Sequence, residues 1–191
     1  MRICTVFFSP TGTTRRVVNA VRDGLIEAYG ENCTTLESDI TLPIGRQEIL
    51  QFSEKDIVVA GVPVYAGRVP NLIVPYLKTL QGNGAEIVCL VCYGNRHYDD
   101  ALLELVDIME TNRFRIRAAA AAVGQHSFSD ILAFGRPDKM DNERLQDFGK
   151  KIGKSFIGGI AAEHRLPGNR PYRAYYQPKD SNGHPVDFKS I

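Results

Sequence analysis

Two kinds of hydrophobic pattern alternate along most of the chain. Short, nearly continuous apolar runs rich in β-branched residues are followed by segments in which apolar residues recur every three or four positions. The first kind is typical of strands that are buried on both faces of a parallel sheet, and the second is typical of helices that cover such a sheet. The four clearest strands are predicted at 3–8, 57–65, 87–93 and 116–123.

The helical segments are recognised by the spacing of their apolar residues. Val17, Val21 and Leu25 recur at i, i+4 and i+8 and predict a first helix over 13–29, which Gly30 ends. Further helices are predicted after Pro70, where Pro75 forces a late start or a kink, over 98–111 with Leu102, Leu105, Val106 and Met109 facing inward, and near the end of the domain with Leu145, Phe148, Ile152, Phe156 and Ile160 in its apolar stripe.

The pattern is weakest between the first helix and the strand at 57–65. A second strand is predicted near 33–37. The stretch 41–53 is interpreted as holding a short helix that carries Ile49, Leu50 and Phe52.

The alanine-rich run 118–122 would favour a helix in isolation. Its place in the alternation assigns it to the fifth strand, and this makes 124–138 a long connection at the end of that strand, where loops commonly carry function. Five strand–helix units predict an α/β fold, namely a doubly wound five-stranded parallel sheet of order 2-1-3-4-5 in a three-layer arrangement. A ligand is expected at the switch point between the first and third strands.

The character of the chain changes after residue 164. We predict one domain over 1–164 and an extended arm over 165–191, which contains several prolines together with Tyr172, Tyr175 and Tyr176. Two interpretations of these tyrosines are open. They form a surface for a partner, or they pack the arm onto its own domain.

Composition and charge exclude several classes of protein. Hydrophobic residues make up 43% and charged residues 24% of the chain, no apolar run approaches the length needed to cross a bilayer, and the first residues do not resemble a signal peptide. The formal net charge of +1 offers no basic field for nucleic acid. We therefore expect a cytoplasmic protein with no membrane or nucleic-acid partner, for which a homodimer is an open alternative.

Four cysteines are present, and Cys89 and Cys92 have the C-x-x-C spacing of zinc knuckles and thioredoxins. In a strand, positions i and i+3 point to opposite faces of the sheet. We therefore interpret the cysteines as small buried residues, without a metal site or a disulfide framework.

The strongest local signal is the run Ser9-Pro10-Thr11-Gly12-Thr13-Thr14, which follows the first strand and opens the first helix. The N–H groups of a tight, hydroxyl-rich turn and of a helix N-terminus converge there, and the helix dipole favours an anion. Gly12 allows the backbone to approach a ligand closely. The run therefore predicts a phosphate site. The simpler alternative is that these residues only cap an ordinary helix.

Two segments that contain glycine and aromatic residues follow the third and fourth strands, at 63–70 and 93–98. A flat, amphipathic ring such as isoalloxazine needs stacking partners on its faces and main-chain donors and acceptors along its pyrimidine edge. The candidates are Tyr65 and Tyr98 for the faces and the peptides around Gly67, Gly94 and Asn95 for the edge.

These residues carry a family resemblance. The loop from Ser9 to Thr14 matches the T/S-x-T-G-x-T phosphate loop of flavodoxins, and the segments 63–70, 93–100, 126–129 and 136–138 resemble the flavodoxin half of flavodoxin-ferredoxin fusion proteins. The resemblance covers about residues 1–165 and implies a flavodoxin-like fold that binds FMN. The predicted cofactor-binding residues are Ser9, Thr11, Gly12, Thr13 and Thr14 for the phosphate, and Pro63, Val64, Tyr65, Ala66, Gly67, Arg68, Tyr93, Gly94, Asn95, Arg96, Tyr98 and His126 around the ring.

The chain departs from this family pattern in two respects. It has no cysteine beyond Cys92, so the iron–sulfur part of the fusion proteins is not predicted. Typical flavodoxins are strongly acidic, whereas the net charge here is +1, and the redox potential and a ferredoxin-like role are therefore open.

Two polar residues near the predicted ring each have two interpretations. His126 contacts the flavin or a substrate, or it only orders its own loop. Arg68 lies over the ring or meets a nicotinamide phosphate, or it is an exposed loop arginine.

The resemblance implies electron transfer through FMN to a redox protein partner or a small-molecule acceptor. One alternative is an NAD(P)H-dependent FMN reductase of quinones or flavins, whose substrate face would be lined by Tyr65, Arg68, Tyr98 and His126. A second alternative is a non-redox interaction module that binds no flavin. No side chain is an obvious general acid or base, so the choice between a carrier and an enzyme is open.

Overall fold

Five strands and four α-helices make up the part of the chain that the structure describes. The structure is a computed structural model, and it describes residues 1–30, 33–158, 166–177 and 179–186. The strands are β1 (Arg2–Phe7), β2 (Thr34–Asp39), β3 (Asp56–Pro63), β4 (Glu86–Tyr93) and β5 (Arg115–Val123). The helices are α1 (Thr13–Tyr29), α2 (Val74–Leu77), α3 (Ala101–Thr111) and α4 (Lys139–Gly158), and Pro43–Arg46 forms one 3₁₀ turn.

The strand order in the sheet is β2-β1-β3-β4-β5, which confirms the predicted order. All neighbouring strands are parallel, and Ile3 of β1 lies opposite Thr35 of β2 and Ile57 of β3. The chain moves from β1 outward to β2 and then returns past β1 to β3. Because this reverses the direction of winding, a crevice opens between the loops that follow β1 and β3.

Apolar residues form a core on each face of the sheet. Cys89 and Val91 of β4 join the core under α2 and α3. Val88 and Cys92 of the same strand join the core under α1 and α4, because side chains alternate between the faces of a strand. Cys89 and Cys92 therefore lie in separate cores, and both are free thiols, which confirms their interpretation as buried structural residues.

The predicted helix within 41–53 is wrong. The segment holds only the 3₁₀ turn Pro43–Arg46, and Ile49 is exposed. Phe52 is buried in extended chain, where its N–H donates to the carbonyl oxygen of Gln81 at 2.9 Å. This hydrogen bond to a distant segment gives the N–H of Phe52 an acceptor, so the segment does not need a helix to satisfy it.

Most other predicted boundaries are confirmed. Helix α1 spans the predicted residues and ends at Gly30, whose φ is 71°. The alanine-rich run lies in β5, and α2 begins only at Val74, with Pro75 in its first turn. Ile160, the side chain of Phe156 and the predicted boundary at 164/165 lie outside the described residues. Within those residues, no helix combines the length and apolar character needed to cross a membrane.

Helices α1 and α4 pack with their backbones in direct contact. A Cβ atom added at Gly24 of α1 would overlap the main chain of Gln146, and one added at Gly149 of α4 would overlap the main chain of Val21. Only glycine fits at these two crossing points. The contact fixes the position of α1. The candidate phosphate loop leads directly into the first turn of this helix.

We expect Gly24→Ala to lower the free energy of unfolding by about 2 kcal/mol or more, because the added methyl group meets backbone that cannot rotate away. Urea unfolding followed by circular dichroism measures the change. Asp23→Ala, at an exposed neighbouring position on α1, is the control and should change the stability by less than about 0.5 kcal/mol. Equal stabilities of the two variants would contradict the close packing of α1 on α4.

Candidate functional site

The loop between β1 and α1 is a tight turn around Gly12. Gly12 has a φ of 79°, and its N–H donates to the carbonyl oxygen of Ser9 at 3.1 Å. No atom lies within 4 Å of a Cβ placed there, so the backbone conformation, and not crowding, requires glycine. The Oγ atom of Ser9 accepts the N–H of Arg15 at 3.0 Å. Ser9 therefore caps α1, as the simpler interpretation of the loop proposed.

Capping by Ser9 leaves most of the donors at the start of α1 free. In the described part of the chain, the N–H groups of Thr11, Thr13 and Thr14 donate to no protein acceptor. The hydroxyls of Thr11 and Thr13 lie 3.1 Å apart, and the loop contains no carboxylate. Free N–H groups at the positive end of a helix dipole form a site for an anion. These residues fit a phosphate monoester.

Neighbouring loops hold this turn in place. The N–H of Ser9 donates to Oγ1 of Thr41, which follows β2, at 2.9 Å. Arg15 points away from the turn, because its guanidinium pairs with Glu37 of β2 at 2.6 Å. Thr41 was not recognised from the sequence, since a lone threonine in a polar loop carries no pattern.

A cavity of about 200 Å³ opens beside the turn, at the carboxyl ends of β3 and β4. Its wall comes from the loops that follow β3, β4 and β5 and from the arm. The lining residues are Val64, Ala66, Gly67, Tyr93, Gly94, Arg96, His97, Asp99, His126 and Tyr176.

The wall from the β3 loop is a tight turn. Tyr65 and Arg68 exchange two main-chain hydrogen bonds of 3.0 Å, and the residues between them, Ala66 and Gly67, have φ values of 51° and 78°. Positive φ at both central positions is the geometry of a type I′ turn. A Cβ atom at Gly67 would lie 2.6 Å from Oδ2 of Asp99, so the β3 loop and the β4 loop are in close contact.

The wall from the β4 loop packs against the β5 loop. A Cβ atom at Gly94 would lie 2.6 Å from Cδ2 of His126. The Nδ1 atom of His126 accepts the N–H of Phe128 at 3.1 Å. His126 therefore orders its own loop, as one interpretation proposed, and it also lines the cavity.

Free main-chain donors surround the cavity. Among the described residues that line the cavity, Ala66, Gly67 and Gly94 have N–H groups with no protein acceptor. Main-chain donors on two facing loops suit the polar edge of a flat heterocycle, while the ring of Tyr93 provides apolar surface. The wall therefore fits a flavin ring.

The turn and the cavity are joined by direct contacts. A Cβ atom at Gly124, which follows β5, would lie 2.7 Å from Cγ2 of Thr13, and the N–H of Gly124 donates to the carbonyl oxygen of Tyr93 at 2.9 Å. Cys92 lies at the same junction, and burial raises the pKa of its thiol to about 12. The thiol is therefore neutral and places no negative charge next to the candidate phosphate-binding turn.

The two tyrosines predicted to cover the ring do not line the cavity. The ring of Tyr98 stacks on His97 at 5.5 Å between centroids and makes an edge contact with Tyr93 at 5.4 Å. Tyr65 is half exposed and lies edge-on to Phe8, at 6.4 Å. Of the predicted ring residues, Val64, Ala66, Gly67, Tyr93, Gly94, Arg96 and His126 line the cavity, whereas Pro63, Tyr65, Arg68, Asn95 and Tyr98 do not.

Arg68 has a different role from those considered for it. Its side chain is only 13% exposed, so it is not an exposed loop arginine. Its guanidinium makes two hydrogen bonds of 2.8 and 2.7 Å to the carboxylate of Glu104 on α3 and a third, of 2.6 Å, to the carbonyl oxygen of Arg173 in the arm. These bonds direct the charge away from the cavity and toward the arm.

The arm packs onto its own domain, as one interpretation of its tyrosines proposed. The guanidinium of Arg68 lies between the rings of Tyr172 and Tyr175, 4.6 and 4.9 Å from their centroids. The hydroxyl of Tyr175 donates to the carbonyl oxygen of Val69 at 2.7 Å, and that of Tyr172 bonds to Asp107 of α3.

Asp100 is the second anchor of the arm. This residue is fully buried, and its carboxylate accepts the N–H groups of Asn169 at 2.8 Å and Arg173 at 2.7 Å. Burial raises the pKa of Asp100, but these donors outweigh burial and hold the pKa below its usual value.

The sequence analysis did not identify three residues of the cavity wall, namely His97, Asp99 and Tyr176. His97 belongs to the segment 93–98 that was predicted to reach the ring, and Asp99 follows it directly, so proximity in the chain was the signal for them. Tyr176 had no such signal, because the path of the arm is set by contacts with distant residues.

Solved structures with a similar fold include flavodoxins and a reductase. A flavodoxin from the domain Archaea matches with a TM-score of 0.54 at 11% identity, covering 82% of this chain and 99% of that chain. A Streptococcus pneumoniae flavodoxin matches with 0.53 at 15% identity, covering 84% and 100%. A flavone reductase matches with 0.56 at 9% identity, covering 85% and 66%. No family model and no curated protein matches the sequence. The chain therefore has the flavodoxin-like fold that the resemblance implied.

We expect acid to release the arm through Asp100. Because its pKa is lower in the folded protein than in an unfolded chain, its contribution to stability is present at neutral pH and is lost as the pH falls below about 4. NMR shifts of the Arg173 and Asn169 N–H groups, followed from pH 6 to pH 3, should move together toward random-coil values. In Asp100→Asn this transition should be absent, and a wild-type arm that is unaffected by acid would contradict the anchor.

We expect Glu104→Gln to lower the free energy of unfolding by about 3 kcal/mol, because Arg68 then keeps its buried charge without the carboxylate. Urea unfolding measures the loss, and limited proteolysis should cut the arm faster. Glu110→Gln, at an exposed position on the same helix, is the control and should behave like the wild type. An unchanged stability in Glu104→Gln would contradict the role of this pair.

Proposed function

We propose that this protein binds FMN and transfers electrons through it. The observation that carries the proposal is the turn that opens α1, where the N–H groups of Thr11, Thr13 and Thr14 have no protein acceptor in the described chain and face no carboxylate of their own loop. The flavodoxin-like fold supports it, because such folds bind ligands at the switch point where this turn lies.

In this proposal each part of the site has a separate role. The turn from Ser9 to Thr14 holds the phosphate, and the loops around Gly67 and Gly94 hold the polar edge of the ring through main-chain N–H groups. When bound, FMN supplies the redox chemistry. The chain positions the ring, shields it from water on the side of the cavity, and sets the charge around it. We propose that this takes place in the cytoplasm, with a redox protein or a small molecule as electron acceptor.

Thr13→Asp should weaken FMN binding by at least about 100-fold, because a carboxylate then faces the phosphate at close range. Titration of FMN fluorescence measures the affinity. An acid in the first turn favours the helix, so a loss of binding would not reflect unfolding of α1. Riboflavin has no phosphate, and its weaker binding should change far less than that of FMN.

Thr35→Asp is the matched control for this experiment, because it adds the same charge at an exposed threonine on β2. It should bind FMN like the wild type. If the wild type bound FMN and riboflavin equally, the proposed phosphate site would be refuted. If the wild type bound neither, the chain would be a non-redox module.

A second candidate function is an NAD(P)H-dependent reductase of quinones or flavins. It is favoured by Arg96, which lines the cavity and has no ionic or hydrogen-bonded partner among the described residues. Such a cation at the mouth of a cavity is available to an anionic or polar substrate.

Steady-state oxidation of NADH or NADPH with a quinone separates the two candidates. We expect the FMN-loaded protein to show negligible turnover alone and to be reduced and reoxidised by protein or chemical electron donors and acceptors. Rapid turnover of the wild type that falls about tenfold or more in Arg96→Ala would contradict the carrier and support the reductase. Lys78→Ala, at an exposed site away from the cavity, is the control for a lost positive charge.

A further inference from the structure

The arm contributes one side chain to the cavity. The N–H of Tyr176 donates to the carbonyl oxygen of Ala66 at 3.1 Å, which places the arm along the turn that follows β3. Tyr176 lines the cavity together with the β4-loop residues Gly94 and Arg96.

The residues that precede this contact fix the arm to the domain. Tyr175 donates its hydroxyl to the carbonyl oxygen of Val69, and Arg68 lies between the rings of Tyr172 and Tyr175. Tyr176 therefore does not reach the cavity by chance motion of a free tail. The hydrogen bond from its N–H to Ala66 holds the main chain of Tyr176 at the cavity.

Tyr176 is 61% exposed, and among the described residues its hydroxyl makes none of the hydrogen bonds that hold Tyr172 and Tyr175. An exposed aromatic residue that lines a cavity is suited to contact with a second flat ring. The tyrosines that the sequence suggested for this purpose are engaged elsewhere, Tyr98 with His97 and Tyr65 with Phe8.

We propose that Tyr176 is a ring-binding residue, and that the arm supplies an aromatic wall that covers the flavin ring at the mouth of the cavity. This inference rests on the proposed function. It adds that the site is incomplete without the arm, and that the pair of Arg68 and Glu104 helps to position Tyr176.

The test compares Tyr176→Ala and Tyr176→Phe with the wild type, in the full chain. The affinity is measured by quenching of FMN fluorescence, and the surroundings of the bound ring by visible circular dichroism. Tyr176→Ala should bind FMN about five- to tenfold more weakly, with a changed dichroism spectrum. Tyr176→Phe keeps the ring and should restore both. Gln177→Ala, the exposed next residue of the arm, is the control and should match the wild type.

Each other outcome has a defined meaning. Unchanged affinity and spectrum in Tyr176→Ala would overturn the aromatic wall while leaving FMN binding intact. Tighter binding in Tyr176→Ala would also overturn it, because the side chain would then block the site. A wild type that binds no FMN would overturn the proposed function and this inference together. Far-UV circular dichroism confirms that the variants are folded.

Discussion

All five strands run in the same direction, and the arrangement of the site depends on this constraint. Parallel strands bring the loops after β1, β3, β4 and β5 to one edge of the sheet. Reversal of the winding between β1 and β3 then leaves the first turn of α1 uncovered. Three N–H groups at that turn have no protein acceptor in the described chain, although buried sheets and helices satisfy nearly all such groups elsewhere.

A buried ion pair connects this edge to a segment far along the chain. Arg68 and Glu104 are 13% and 6% exposed, and a charge in such surroundings is costly unless it is fully bonded. Glu104 accepts two bonds from Arg68 and a third from the N–H of Val69. The remaining donor of Arg68 binds the carbonyl oxygen of Arg173. Satisfying one buried charge therefore fixes the β3 loop, α3 and the arm relative to one another.

Sequence patterns predicted the elements that follow from local periodicity. They did not predict the conformations and contacts that depend on residues distant in the chain. The bounds of α1 follow from apolar spacing and a terminal glycine, so they were predictable. The extended conformation at Phe52 depends on Gln81, and the burial of Arg68 depends on Glu104, 36 positions away. The candidate phosphate loop was recognisable because its residues form one continuous run, Ser9 to Thr14. Tyr176 was not, because tertiary contacts alone bring it to the cavity.

The charges around the cavity differ from those of a typical, strongly acidic flavodoxin. Asp99 lies 3.6 Å from the guanidinium of Arg173, which partly balances its negative charge, whereas Arg96 has no such partner among the described residues. A cation beside a ring that gains electrons stabilises the more negative, reduced state, and a partly closed cavity screens this effect less than water does. If FMN binds as proposed, the chain should therefore hold electrons at a higher potential than acidic flavodoxins do, and pass them to acceptors of higher potential.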